Sequence, residues 1–102
     1  SVAFAARTVT GAYTVTAIDH TIFANTSGGN FTVTLPSAAN IGGRQYVIKK
    51  TDTTSSSIVT IATADSSTIE GAATFSIDER RSVVVQSDNT NWWIVAEFIP
   101  AP

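Results

Sequence analysis

The chain has 102 residues, of which 14% are charged, with a net charge of -2 and no cysteine. This length allows one domain, and the scarce, scattered Lys and Arg residues exclude the basic surface that a nucleic-acid partner requires. The missing cysteines exclude disulfides, thiolate metal sites and a cysteine nucleophile. No apolar run approaches the ~20 residues that span a bilayer, so we expect no membrane insertion.

The chain is predicted to be all-β, because β-branched residues dominate and helical periodicity is nearly absent. The clearest strand is Phe31–Leu35, where apolar residues alternate with threonines until Pro36 ends the strand. Residues 37–40 are the one candidate for a helical turn, and Glu70-Gly71 predicts a tight hairpin turn. Strands are predicted, in chain order, over residues 13–17, 21–24, 31–35, 44–50, 58–63, 68–69, 74–77, 82–86 and 92–98. Their close spacing predicts a small antiparallel β-sandwich or barrel of about 8–9 short strands.

Several predicted strands are apolar on both faces, whereas a strand in an antiparallel sheet normally has one solvent-exposed, polar face. They include residues 46–48, 58–59, 83–85 and 92–95. Either loops of the same chain cover the second faces, or a neighbouring chain does. We favour the neighbouring chain, because a domain of this size has one modest core and closed symmetry lets each copy cover the next.

The pair Trp92-Trp93 places two indoles on opposite faces of the last strand. Trp92 is predicted to enter the core together with Ile94, Ala96 and Phe98. Trp93 then points away, where it can stack on a sugar ring, pack at a subunit interface or lie in a groove of its own chain.

No constellation of residues predicts catalysis, a metal site or a cofactor, so we expect a protein that is not an enzyme. His20 is the single histidine and is expected to bond a nearby group in a turn; the alternative is three copies of His20 around one ion on a three-fold axis. The aspartates in predicted turns suit local backbone hydrogen bonds. They are Asp52, Asp65, Asp78 and Asp88. A glycosidase pair finds no support in the placement of Glu70 and Glu97.

A set of motifs follows a fixed order over residues 13–95. In that order they are Tyr13-Thr-Val-Thr-Ala, Phe31-Thr-Val-Thr-Leu-Pro, Gly43-Arg-Gln-Tyr-Val-Ile-Lys-Lys, Val83-Val-Val-Gln-Ser-Asp and Asn91-Trp-Trp-Ile-Val. The set resembles the C-terminal β-domain of bacteriophage tail fibres and other virion fibres, which is also seen in phage-fibre-like trimeric adhesins of bacteria. The resemblance implies a homotrimer at the end of a longer fibre protein, on the virion or, for an adhesin, on the cell surface. Residues 1–12 would connect to the shaft and residues 13–102 would form the tip.

The resemblance implies a receptor-binding tip for host attachment; the alternative is a structural virion module, such as a head fibre, capsid decoration or fibre spacer. A polar, uncharged surface suits a cell-surface polysaccharide, since hydroxyl and amide groups both donate and accept hydrogen bonds. Residues 25–30, 51–57 and 87–91 are expected to line the sites, because loops on a rigid sheet carry function. The predicted ligand-binding residues are Trp93, for stacking, and Asn30, Thr53, Asn89 and Asn91.

Overall fold

Nine strands in two mixed sheets make up the part of the chain that this computed structural model describes, residues 4–54 and 56–100. The strands are β1 (Ala6–Val9), β2 (Tyr13–Thr14), β3 (Thr21–Ala24), β4 (Phe31–Leu35), β5 (Gln45–Lys50), β6 (Val59–Thr63), β7 (Phe75–Ile77), β8 (Ser82–Ser87) and β9 (Trp92–Phe98). The predicted all-β class and strand number are confirmed, but the set of strands differs. Residues 68–69 form no strand, since Ile69 makes only isolated bridges, and β1 is not among the predicted strands. Residues 39–40 form a turn, and no helix occurs in the described ranges, so the predicted helical turn over residues 37–40 is wrong.

The first six strands alternate between the two sheets. The larger sheet has the order β1-β3-β5-β8-β9 and the smaller one β2-β4-β6-β7. Because the chain visits the opposite sheet between neighbouring strands, it returns to each sheet in the same direction, and β1-β3, β3-β5, β2-β4 and β4-β6 are parallel pairs. The antiparallel prediction is therefore wrong for these pairs and correct for β5-β8, β6-β7 and β8-β9.

One core lies between the inner faces of the two sheets. Strand β4 shows the alternation that builds it, with Val33 and Leu35 fully buried and Thr32 and Thr34 turned outward, as the sequence predicts. Trp92 is also fully buried, which confirms its predicted place in the core. Its indole Nε1 donates to the backbone oxygen of Pro36 at 3.1 Å, so the core indole has a hydrogen-bond partner.

A β-bulge in the last strand changes which side chains face the core. Val85 pairs with Ile94 but Val84 pairs with Ala96, so Val95 is the extra residue. Beyond the bulge the alternation is inverted, and both Ala96 and Phe98 are exposed. The prediction that these two share the core face with Trp92 is wrong, because period-two reasoning assumes an uninterrupted ladder.

The segment before residue 13 contributes to the larger sheet. Within it, Ala6–Val9 forms β1, which pairs with β3 along its whole length, and Val9 belongs to the core. These four residues are thus part of the folded domain, in the stretch that the sequence assigns to the fibre connection.

A buried ion pair lies where β5 leads into the loop toward the smaller sheet, and its carboxylate bonds the loop that follows β3. Lys50, which is fully buried, donates from Nζ to Asp52 Oδ2 at 3.1 Å and to the oxygen of Thr54 at 2.9 Å. The Asp52 carboxylate also accepts the backbone N–H of Thr26 at 2.8 Å. Burial opposes ionisation of Asp52, but the bonds from Thr26, Lys50 and Thr54 outweigh it and hold its pKa well below the usual range.

Candidate functional site

The outer face of the larger sheet carries apolar side chains from several strands among polar ones, and we call it the apolar face. The polar outward residues are Thr21, Gln45, Lys49, Ser82 and Gln86. Its apolar side chains come from four neighbouring strands and are Phe23, Val47, Val84, Trp93, Ala96 and Phe98. Three of them are large and exposed, Phe23 at 38%, Trp93 at 42% and Phe98 at 52%. On proteins in general, large exposed apolar patches often mark interaction sites. The second apolar side of strands β5, β8 and β9 is thus not covered by the described loops of the same chain.

Lys49 is the one charged side chain among the outward strand residues of this face. Its ammonium lies 4.6 Å from the centroid of the Phe98 ring and donates to the backbone oxygen of Arg80. Burial and the nearby charge of Arg80 lower the pKa of Lys49. The ammonium is therefore already engaged by the ring and by a backbone oxygen, and the rest of the face is neutral.

Trp93 lies at one corner of the apolar face, beside the turn that precedes β9. Its indole Nε1 donates to Asp88 Oδ2 at 2.7 Å. Asp88 also accepts the backbone N–H groups of Asn91 and Thr90, and these bonds together with the indole bond lower its pKa. With its only polar atom fixed by a carboxylate, the indole presents an oriented, half-exposed ring that can stack on an apolar sugar face.

Two predicted ligand-binding residues lie in the same turn as Asp88. Asn89 is exposed and has a left-handed backbone, with φ of 82°. Asn91 turns its side-chain oxygen inward, where it accepts the backbone N–H of Thr68 at 2.9 Å. The structure therefore places the exposed Asn89 in the turn beside Trp93 and gives the Asn91 side-chain oxygen a partner within the fold.

Of the other two predicted residues, Thr53 lies at the opposite end of the larger sheet, and Asn30 lies just before β4 in the smaller sheet. The turn containing Asn89 packs against Gly42, before β5 begins, whereas Thr53 follows the end of that strand. Six residues of β5 separate the two ends by roughly 20 Å, at ~3.3 Å per residue. Thr53 is exposed, and the Asn30 side-chain oxygen accepts the N–H of Ile58 at 2.8 Å. The five predicted residues thus do not form one site.

The outer face of the smaller sheet has a different chemistry, and we call it the threonine face. Its outward residues are Thr14, Thr32, Thr34, Thr60, Ala62 and Ser76. None is charged or aromatic. The signal in the sequence is the alternation of threonines with apolar residues, which places hydroxyls outward on each strand but does not reveal that the strands lie side by side.

The residues considered for catalysis have structural partners. His20 stacks on Phe4, with ring centroids 4.4 Å apart, and its Nδ1 lies 2.9 Å from Thr21 Oγ1. Glu70 accepts the N–H of Ile94 at 2.8 Å, and Glu97 accepts a bond from Arg81 at 3.0 Å. Among residues 4–54 and 56–100, no group of three His, Cys, Asp or Glu side chains could hold a metal ion.

Comparison of the chain with protein-family models and with curated proteins finds no match. Within the described ranges, no helix is long and apolar enough to cross a membrane.

Proposed function

We propose that the chain is the receptor-binding tip of a homotrimeric fibre of the tail-fibre or adhesin type, which associates through its apolar face and binds a cell-surface glycan. The observation that carries the proposal is the apolar face itself. Its aromatic rings are exposed on a chain whose surface is otherwise rich in Ser, Thr and Asn.

Self-association is supported by where the exposed apolar side chains lie. Phe23 and Phe98 lie in the same row across the sheet as Lys49, and Val47, Val84 and Ala96 form the row beside it. The apolar side chains of this surface gain free energy when they are removed from water, at ~25 cal/mol per Å² of apolar area. A closed ring of copies covers every such face without leaving an open end. The resemblance to trimeric fibres sets the expected number at three.

Glycan binding is supported by the ring of Trp93 and its fixed hydrogen bond to Asp88. Because the ring is already oriented, little conformational entropy is lost when a sugar stacks on it. The exposed side chain of Asn89 lies in the adjoining turn and can bond sugar hydroxyls. Each exchange of water for a sugar hydroxyl contributes little net free energy, so a single site is weak and three sites on one tip bind by avidity.

The first experiment compares two lysine substitutions. Ala96→Lys places a charge on an exposed position of the apolar face, and Ile18→Lys places one on an apolar side chain in the turn before β3, outside that face. Light scattering of the parent chain should give about three times 10.7 kDa. We expect Ala96→Lys to give a folded monomer and Ile18→Lys to keep the parent mass. A parent chain that is monomeric and unfolds cooperatively would contradict the proposal.

The second experiment separates assembly from recognition at Trp93. Trp93→Ala is measured for mass by light scattering and for retention on a glycan surface and on host cells. Loss of retention with an unchanged mass supports sugar stacking, whereas loss of the trimer assigns Trp93 to the interface. The Ala96→Lys monomer should be retained much less than the parent trimer, since avidity is lost. Equal retention of monomer and trimer would refute multivalent recognition.

A structural virion module is the second candidate, because the apolar face alone is enough to assemble a spacer or decoration protein. In that case the parent assembles as a trimer but is not retained on any glycan or host-cell surface.

A further inference from the structure

We propose that neighbouring copies of the chain join edge to edge, with β1 of one copy pairing in parallel with the second half of β9 of the next. This inference rests on the proposed function, since it names the contact through which the trimer closes. The partner is a second copy of this chain, and three such contacts join the three larger sheets into one continuous ring.

The two edge strands of the larger sheet run in the same direction. β1 is parallel to β3 and β3 is parallel to β5, whereas β8 is antiparallel to both β5 and β9. It follows that β9 runs parallel to β1. A rotation about an axis along the strands preserves their direction, so it brings β9 of one copy beside β1 of the next as a parallel pair, of the kind that β1 already makes with β3.

The edge formed by β1 offers backbone groups to a further strand. The backbone oxygens of Ala5 and Val9 accept bonds from the side of β3. The alternation along a strand then turns the N–H and C=O groups of Ala6 and Thr8 toward the open edge. Within the described ranges no other segment bonds these groups. Unpaired groups in such a row are a template for another strand.

The edge formed by β9 is covered only over its first residues. Residues 68–70 bond both backbone groups of Trp92 and accept the N–H of Ile94. Past the bulge at Val95, no segment of the described ranges bonds this edge, and residues 95–99 are all exposed. Native sheets shield or shorten their open edges, so the uncovered half of β9 is the part of the strand that suits a partner.

Cyclic symmetry sets the register of the new pair. A rotation without translation returns each residue to its own level along the axis. Strand pairing defines one such level across the larger sheet, which contains Thr8, Phe23, Lys49, Ser82 and Phe98. Phe98 of one copy therefore lies opposite Thr8 of the next.

This register brings unlike charges together. One residue before the pair of Phe98 and Thr8 lie Glu97 and Arg7, which are the charged residues of β9 and β1. Opposite charges directly across neighbouring strands stabilise their pairing. Arg7 contacts Asp19 only through Nε, at 3.4 Å, and Glu97 uses Oε1 toward its own chain. Within the described ranges the terminal nitrogens of Arg7 and Oε2 of Glu97 make no hydrogen bond, so both can serve the contact between copies.

The same register covers exposed apolar side chains. Ile99, which is 62% exposed, comes to lie opposite Val9, and Phe98 lies against Thr8. A register shifted by two residues places Arg7 opposite Val95 or Ile99 instead, so the match of both charge and apolar surface is specific to the level that symmetry sets. With the apolar face turned to the inside of the ring, edge pairing and association of the apolar faces occur in one assembly.

The test uses cysteine pairs, because the chain has no cysteine of its own. Within one chain Thr8 and Phe98 lie four strand spacings apart, ~19 Å, so a disulfide between them must join two chains. Oxidation of Thr8→Cys, Phe98→Cys should give a covalent trimer in non-reducing electrophoresis. In the control, Thr8→Cys, Ala96→Cys, one cysteine moves by two residues, which puts the pair ~8 Å apart and beyond the reach of a disulfide.

A second pair of variants tests the backbone bonds. Thr8→Pro removes an N–H that faces the open edge, a position where an edge strand tolerates proline, whereas Thr8→Val keeps this N–H. Light scattering should give 10.7 kDa for Thr8→Pro and three times that mass for Thr8→Val. Circular dichroism checks that both variants are folded, and the cysteine pairs decide the matter if the proline variant is not.

The two proposals fail in different ways. If the parent chain is a trimer but Thr8→Cys, Phe98→Cys gives no more covalent trimer than the control, edge pairing is wrong and association through the apolar face stands. A ladder of covalent products longer than three chains would overturn the closed ring of edges. A monomeric parent chain contradicts both proposals.

Discussion

The apolar face and the threonine face are the outer sides of two sheets that share one core, and they differ in the side chains that alternate with the core residues. In β5 and β8 the middle outward residues are Val47 and Val84, with polar residues on either side, whereas in β4 and β6 the outward residues include Thr34 and Thr60. Both sets are half-buried within their sheets. A chain whose strands alternate between two sheets can give each outer face of a small domain its own chemistry, because each successive pair of strands adds one strand to each sheet.

The two faces depend on a shared interior, and Trp92→Ala is expected to disturb both. Trp92 is fully buried and packs against Tyr46, with ring centroids 5.6 Å apart. Removing so large a side chain should lower the free energy of unfolding by about 3–5 kcal/mol. Denaturant unfolding measures it, and Trp93→Ala is the matched control. A loss for Trp92→Ala no greater than that of the control would contradict the described core.

The next largest effect is expected from Asp52→Ala, which tests whether the connecting loops hold the two faces together. The substitution leaves the buried ammonium of Lys50 without its carboxylate, and breaking a buried pair in this way costs about 3 kcal/mol or more. Asp78→Ala is the control, because Asp78 is half-exposed and its surface pair with Arg81 is long, at 3.9 Å. Exposed pairs of this kind contribute little to stability. Equal effects of the two substitutions would show that the buried pair adds nothing.

The same pair predicts how stability depends on pH. The pKa of Asp52 in the folded chain lies well below its ordinary value of 3.8. The stabilisation from its ionised form is therefore complete above about pH 4 and is lost as the pH falls toward the folded value. The difference in melting temperature between the parent and Asp52→Ala should be constant from pH 5 to 7 and shrink below pH 4. A difference that grows on acidification has the wrong sign for this linkage.

A smaller effect is expected from Tyr13→Phe, which removes one hydrogen bond between the start of the smaller sheet and the turn that leads back to the larger one. The Tyr13 hydroxyl donates to Asp19 at 2.6 Å, and this bond raises the pKa of Tyr13. Asp19 retains its bonds from Thr16 and Arg7 in the variant. The expected loss is about 1.5 kcal/mol, measured by thermal unfolding. A variant as stable as the parent would mean that water replaces the hydroxyl without cost.

Local patterns in the sequence predict local features of this fold well. The alternation in Phe31–Leu35 predicts which residues face inward, and Glu70-Gly71 forms the predicted tight turn, with φ values of 52° and 80° at its two residues. Mutual bonds between the backbones of Ile69 and Ala72 close that turn. The alternation and the tight turn each depend only on residues that are close in sequence, so the local sequence determines them.

Features that depend on distant residues were not predictable from the same patterns. Apolar and polar residues alternate along a strand in the same way whether its partner is parallel or antiparallel. The parallel pairing of β3 with β5 is therefore not visible in the sequence of either strand. The bulge at Val95 is likewise set by its pairing with β8. For the candidate site, the sequence predicts that Trp93 leaves the core, but loop composition alone could not show that Thr53 and Asn89 lie at opposite ends of a sheet.

The late position of Trp92 in the chain has a consequence for synthesis. The ribosome releases strands β1 to β6 first, as three successive pairs with one strand in each sheet. Each pair can dock on the pair before it as it emerges. The largest side chain of the interior arrives only with the last strand, which pairs with β8 alone in the larger sheet. A nascent chain halted after Ser87 should therefore be digested rapidly by protease, and resistance should appear abruptly once β9 has left the exit tunnel.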